Sequence, residues 1–140
     1  MVINDAEFFW PVRVYYEDTD SGGVVYYANY LKFMERARTE WLRSLGFEQD
    51  GLLREEGIVF AVRRVSIDFR RPARFNDALL VKSQIGQLQK ASLTFHQRII
   101  RVADELLLVH GDVQVVCVDL ESFRPTPIPQ NILLRISDVD

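Results

Sequence analysis

A chain of 140 residues is the length of one ordinary domain, enough to bury roughly two thirds of its unfolded surface. Its 48% hydrophobic and 26% charged residues are a soluble globular balance that speaks against disorder. The formal charge of −3 lacks the strong basic excess of a nucleic-acid binder, so no nucleic-acid partner is expected.

Cys117 stands alone, so no intramolecular disulfide can form, and His96 and His110 are too few for a zinc-like cluster. We expect no metal. The N-terminus, Met-Val-Ile-Asn-Asp-Ala-Glu, has no basic segment leading into an apolar core, which predicts no signal peptide. No apolar run approaches the roughly 20 residues of a membrane helix. A cytoplasmic protein that is not in the membrane is the expectation.

In chain order, Val12–Glu17 is the first expected strand, with Val12, Val14 and Tyr16 on one face. Pro11 falls just before it, where a missing N–H costs little. The strand ends at Asp18-Thr19-Asp20-Ser21-Gly22-Gly23, a run of turn formers. From Ala28 to Leu45 the residues Tyr30 or Leu31, Met34, Ala37, Trp41 and Leu45 recur at helical spacing. They predict one long helix. Arg36 and Glu40 are spaced for an ion pair on its polar side, and Gly46 is placed as its C-cap. A short second helix is expected over Glu48–Glu56.

Strands follow. Ile58–Val62 is continuously apolar, which predicts burial on both faces, and Arg64–Arg70 alternates. Pro72 and Asn76-Asp77 mark a turn, Ala78–Leu88 is the next strand, and Gln89-Lys90 a tight connection. Ser92–Val102 alternates with Leu93, Phe95 and Ile99 inward, and Glu105–Asp119 is the last strand. The tail from Ser122 to Pro129 reads as irregular, with a helical turn from Ile132. One long helix on a sheet whose later strands are hairpin neighbours is an α+β layer architecture in a single domain. Long strands leave edges that dimerisation can cover.

The chemistry concentrates between Tyr15 and Tyr30, where carboxylates, a glycine turn and a helix N-terminus lie within a few residues. Such an arrangement can hold a polarised carbonyl beside a base. An Asp before a Gly-Gly turn also serves as an ordinary turn residue, so the residues alone leave Asp20 open. Asp18 and Glu17 read as structural, Glu35 as one half of an exposed ion pair, and Cys117 as a small buried hydrophobe. His96 lies on the polar face of its strand, and neither histidine has the partners of a triad.

The segments Val14-Tyr15-Tyr16-Glu17-Asp18-Thr19-Asp20, Gly22-Gly23-Val24-Val25-Tyr26 and Asn29-Tyr30 resemble the signature of the hotdog-fold acyl-CoA thioesterases of the 4-hydroxybenzoyl-CoA thioesterase type. Glu35-Arg36-Ala37-Arg38-Thr39-Glu40, Val62-Arg63, Pro72-Ala73-Arg74 and Val115-Val116-Cys117-Val118-Asp119 are similar, more narrowly, to its Tol-Pal-associated branch. The likeness runs from about Trp10 to Pro129. It implies a long antiparallel sheet wrapped around a central helix, and homodimers or homotetramers with active sites at the protomer interface.

The resemblance also implies Asp20 as the catalytic carboxylate, acting as general base or nucleophile, and the Tyr27 backbone N–H as the carbonyl's polarising donor. Gly22 and Gly23 would let the backbone approach the substrate. Close relatives commonly have His where this chain has Tyr27, a departure that a backbone donor tolerates.

The implied substrate is the thioester of a short aliphatic or aromatic acyl group on coenzyme A or an acyl-carrier protein. Coenzyme A is then part of the substrate and no separate cofactor is expected. Arg63, Arg64, Arg70, Arg71, Arg74 and Lys90 are candidates for its phosphates. The competing reading is a non-catalytic acyl-carrier or cell-envelope binding module. A hotdog dehydratase is disfavoured because no His lies near the helix start.

Overall fold

The structure is a computed structural model that describes residues 7–137. The expectation of no signal peptide rests mainly on residues 1–6, which lie outside the described residues. Five antiparallel strands, β1 (Phe8–Arg13), β2 (Ile58–Phe69), β3 (Ala78–Leu88), β4 (Ser92–Arg101) and β5 (Leu106–Asp119), form one sheet in the order β1-β3-β4-β5-β2. Three helices accompany it: α1 (Asn29–Ser44), α2 (Gln49–Glu56) and α3 (Gln130–Ser137).

The long helix forms where its spacing predicts and packs one face against β1 and β3. Tyr30, Phe33, Met34, Ala37 and Leu42 are buried along it. Leu31 points outward and Trp41 is half-buried, its ring edge-on to Phe95 of β4 at 5.1 Å. A period of 3.6 drifts off a strict three-or-four count, which brings in Phe33. Gly46 closes α1 as expected: its N–H bonds Arg43 O at 2.9 Å and that of Phe47 bonds Leu42 O at 3.1 Å. Glu40 pairs with Arg43 at 2.6 Å instead of Arg36.

Between helix and sheet lies one buried polar knot. Gln97 of β4 is 1% exposed; its side-chain amide donates to Met34 O at 3.0 Å and Ser83 Oγ at 2.9 Å, and its carbonyl accepts from Arg38 at 3.0 Å. Each group is satisfied, so the knot fixes how α1 sits on β3 and β4. Burial lowers the Arg38 pKa.

Four expectations need correction. The first strand is Phe8–Arg13, with Pro11 inside it; β1 is an edge strand, where a residue without an N–H is tolerated. Tyr16–Asp18 leaves the sheet as a 3-10 turn, held by the Asp18 carboxylate accepting the Tyr15 N–H at 2.8 Å. β2 is the other edge strand, and Ile58–Val62 is not buried on both faces: Ile58 is buried, Val59, Phe60 and Ala61 are half-buried, and Val62 is 50% exposed. The link between β2 and β3 is no hairpin, because β2 pairs with β5 and β3 lies between β1 and β4. The tail extends its helical turn into α3, which buries Ile132 and Ile136.

Candidate active site

Residues 18–26 form a small hairpin ahead of α1. Asp20 O accepts the Gly23 N–H at 3.0 Å and the Asp20 N–H donates to Val24 O at 2.9 Å, a three-residue loop with Gly23 at φ +79°. Only a residue without a Cβ sits there unstrained. Asp20 Oδ1 accepts the Gly22 N–H at 2.8 Å, and a Cβ on Gly22 would stand 3.2 Å from that oxygen. Oδ2 has no partner among the described residues. The carboxylate is therefore oriented through one oxygen and open at the other.

At the base of the hairpin the Tyr26 N–H donates to Asp18 O at 2.9 Å, and the Asn29 side-chain amide reaches the same oxygen at 2.9 Å. Tyr27 follows directly. Its N–H has no acceptor among the described residues, α1 carries no side-chain N-cap at Ala28, and no acidic residue stands in the first turn. The N–H groups of Asn29, Tyr30 and Leu31 turn back onto Tyr26 O, Tyr27 O and Ala28 O at 2.8, 3.4 and 3.2 Å, so the free donor beside the hairpin is that of Tyr27, just ahead of the positive end of the helix. Asp20 lies near the tip of one arm and Tyr27 just past the foot of the other.

The crossing from β2 to β3 locks this arrangement. Ala73, fully buried, accepts the Val25 N–H at 2.8 Å and donates its own N–H to Tyr30 Oη at 3.0 Å. Burial, opposed by that hydrogen bond, raises the Tyr30 hydroxyl pKa. Val25, Tyr27, Tyr30, Phe69, Arg70, Arg71 and Pro72 line an open groove beside it, with Tyr27 edge-on to Phe69 at 6.1 Å. Arg70 is engaged by Asp68 at 3.2 Å, whereas Arg71 has no acidic partner among the described residues. The Tyr26 hydroxyl is held above its ordinary range, chiefly by its hydrogen bond with Tyr27.

The remaining candidates sit elsewhere. Glu35 is exposed and accepts the Thr39 hydroxyl at 3.0 Å; it forms no ion pair among the described residues, contrary to expectation. His96 pairs with Asp112 and His110 with Asp68, on the outer face of the sheet. Cys117 is buried, and burial pushes its thiol up to about 11. Asn29, Tyr30 and Ala73 were not singled out as site-building residues: they stood within segments that carry the family resemblance, but nothing local in the sequence gave them a role.

The family model of the thioesterase-like superfamily matches residues 14–136, which include the hairpin, α1 and the whole crossing. The chain belongs to this superfamily. Acyl-CoA thioesterase YbgC of Haemophilus influenzae is 45% identical over 128 residues, 91% of this chain and 93% of its own length. The crystal structure of a 1,4-dihydroxy-2-naphthoyl-CoA thioesterase from Synechocystis superposes with a TM-score of 0.89 at 28% identity, covering 96% of this chain and 98% of that one. The structure of 4-hydroxybenzoyl-CoA thioesterase, at a TM-score of 0.87 and 20% identity, covers 94% of this chain and 99% of that one and shares the fold alone. The sheet and its packed helix are the hotdog fold of this superfamily, as the resemblance implied.

Proposed function

We propose that the protein is an acyl-CoA thioesterase that hydrolyses short aliphatic or aromatic acyl thioesters, with Asp20 and the Tyr27 backbone N–H as its chemical groups. The observation that carries this reading is the pairing of an oriented, half-free Asp20 carboxylate with an unpartnered N–H at an uncapped helix start, in a chain whose relatives are thioesterases.

Thioester cleavage asks little more. The leaving thiol has a pKa near that of cysteine, roughly 8.5, so it departs as thiolate without a dedicated acid. The carbonyl oxygen gathers negative charge as the carbonyl carbon becomes tetrahedral, and the Tyr27 N–H at the positive helix end stabilises it; one such donor is worth about 3–4 kcal/mol of barrier. Asp20 then acts by one of two routes. As a base it takes a proton from water while the oxygen adds to the carbonyl and the C–S bond breaks; as a nucleophile its own oxygen displaces thiolate, leaving an anhydride for water to cleave.

Gly22 and Gly23 would let a substrate approach the turn, and Arg71, which lines the groove without an acidic partner among the described residues, is a candidate for a phosphate. Coenzyme A enters as part of the substrate, not as a resident cofactor. The site lies open on a single chain, next to the exposed aromatics Tyr26, Tyr27 and Phe69 and the bare edge of β2. A homodimer or homotetramer with interfacial sites would cover both. No helix among the described residues is long and apolar enough to cross a membrane.

The test is free-thiol release by the wild-type protein across a panel of acyl-CoAs of different chain length and aromaticity. Turnover of short or aromatic acyl-CoAs is expected. No release from any acyl-CoA or acyl-carrier thioester overturns the reading in favour of a non-catalytic binding module.

A further inference from the structure

Two exposed rings take no part in the chemistry above. Tyr16, in the 3-10 turn, and Phe75, in the β2–β3 crossing, lie face to face with ring centroids 3.9 Å apart and planes 12° apart. Tyr16 is 75% and Phe75 42% exposed, so the stack stands at the surface with ring area open to solvent. The two segments do not need it as a joint. Backbone bonds already tie them, from Asn76 N–H to Val14 O at 2.9 Å and from Val14 N–H to Asp77 O at 3.0 Å.

Cations flank the stack. Arg74 precedes Phe75, and its side chain has no acidic partner among the described residues. Arg13 rests on the Asn76 carbonyl at 3.0 Å and still has donors to spare. Three carboxylates lie nearby, and two are engaged: Asp18 by the Tyr15 N–H, and Asp77 by the Arg74 N–H at 2.9 Å and by Arg101 at 3.6 Å. Glu17 has no cationic partner among the described residues. A preformed aromatic face with cations beside it suits a planar base that carries phosphates, because every base has a π-face and stacking needs no particular edge pattern.

We propose that the Tyr16–Phe75 stack receives the adenine of coenzyme A, with Arg13 and Arg74 beside it for the phosphates. This rests on the thioesterase reading, which supplies a substrate carrying an adenine nucleotide at the end remote from the thioester. The two segments that form the stack are those that build the active site. Tyr16 leads within four residues to Asp20, and Phe75 follows Ala73, which holds Val25 and Tyr30. Stack and carboxylate therefore belong to one unit tied by backbone hydrogen bonds.

The experiment measures calorimetric binding of adenosine 3′,5′-bisphosphate, the nucleotide end of coenzyme A, to wild type, Tyr16→Ala, Phe75→Ala and Tyr16→Phe. It is run beside kcat/KM for an acyl-CoA and for the same acyl group on pantetheine. Each Ala variant should weaken bisphosphate binding about tenfold, in the range of one lost base stack, and Tyr16→Phe should retain it. The wild-type preference for acyl-CoA over acyl-pantetheine should shrink by a similar factor in the Ala variants. Wild type that fails to bind the bisphosphate, or Ala variants that bind it equally, overturns the platform while leaving thioester cleavage to stand on its own turnover. ATP bound as tightly as the bisphosphate overturns the assignment to coenzyme A. Ala variants that lose both thioesters equally show a purely structural stack and overturn it too.

Discussion

At the scale of single residues, the site depends on atoms only a few tenths of an ångström from crowding. Gly22 is the clearest case, since its missing Cβ leaves Asp20 Oδ1 where its N–H can hold it. Gly22→Ala places a methyl 3.2 Å from that oxygen and must turn or displace the carboxylate. We expect kcat to fall about tenfold or more, because small misplacements of a reacting group are costly, with little change in Tm. A kcat equal to wild type would mean that the orientation seen at Asp20 does not matter. Gly23 is constrained differently, by its left-handed backbone, and an Ala there strains the hairpin by about 1–2 kcal/mol.

At the scale of elements, the hairpin, the start of α1 and the β2–β3 crossing are one unit closed by Ala73 and Tyr30. Tyr30→Phe removes the acceptor of the buried Ala73 N–H while keeping the ring against Phe33 and Phe69. An orphaned buried donor costs about 1–3 kcal/mol, which chemical denaturation should read as a lower midpoint with an unchanged slope. Strands β3, β4 and β5 and both ends of α1 were legible from the residues, because alternation, turn formers and Gly46 are local signals. The order of the strands was not. Nothing within Pro72 to Asp77 distinguishes a hairpin turn from a crossing, since the difference lies in the pairing of β2 with β5, about fifty residues away in sequence. Pro11 misled in the same way, because a proline is tolerated or excluded according to whether its strand is an edge. For the site, the Asp20 turn was legible from its glycines, and Tyr27 was singled out through the family resemblance alone. The lock through Ala73 spans 43 residues and leaves no local trace.

At the scale of the whole molecule, the two sheet edges are unequal. β1 is short and interrupted by Pro11, whereas β2 is twelve residues long and exposes Val62, Val65 and Phe69. A long apolar edge of this kind invites a second strand. We expect light scattering to give at least twice the mass of the 16.3 kDa chain, and Val65→Lys to lower it towards one chain. A wild type that scatters as a monomer at all concentrations contradicts assembly through β2. A sheet and a helix fixed to each other by the Gln97 knot present a single hairpin whose Asp20 carboxylate keeps one oxygen free, followed by a Tyr27 N–H without an acceptor among the described residues.

That pairing of Asp20 with an open N–H is the central claim, and one comparison tests it most directly. Steady-state thiol release from the best acyl-CoA substrate is measured for wild type and Asp20→Asn, with the melting curve of each. The account predicts a loss in kcat of at least about a hundredfold, the range for removing a positioned base, with a Tm that stays close to wild type. An Asp20→Asn protein that is folded and turns over at the wild-type rate would contradict it.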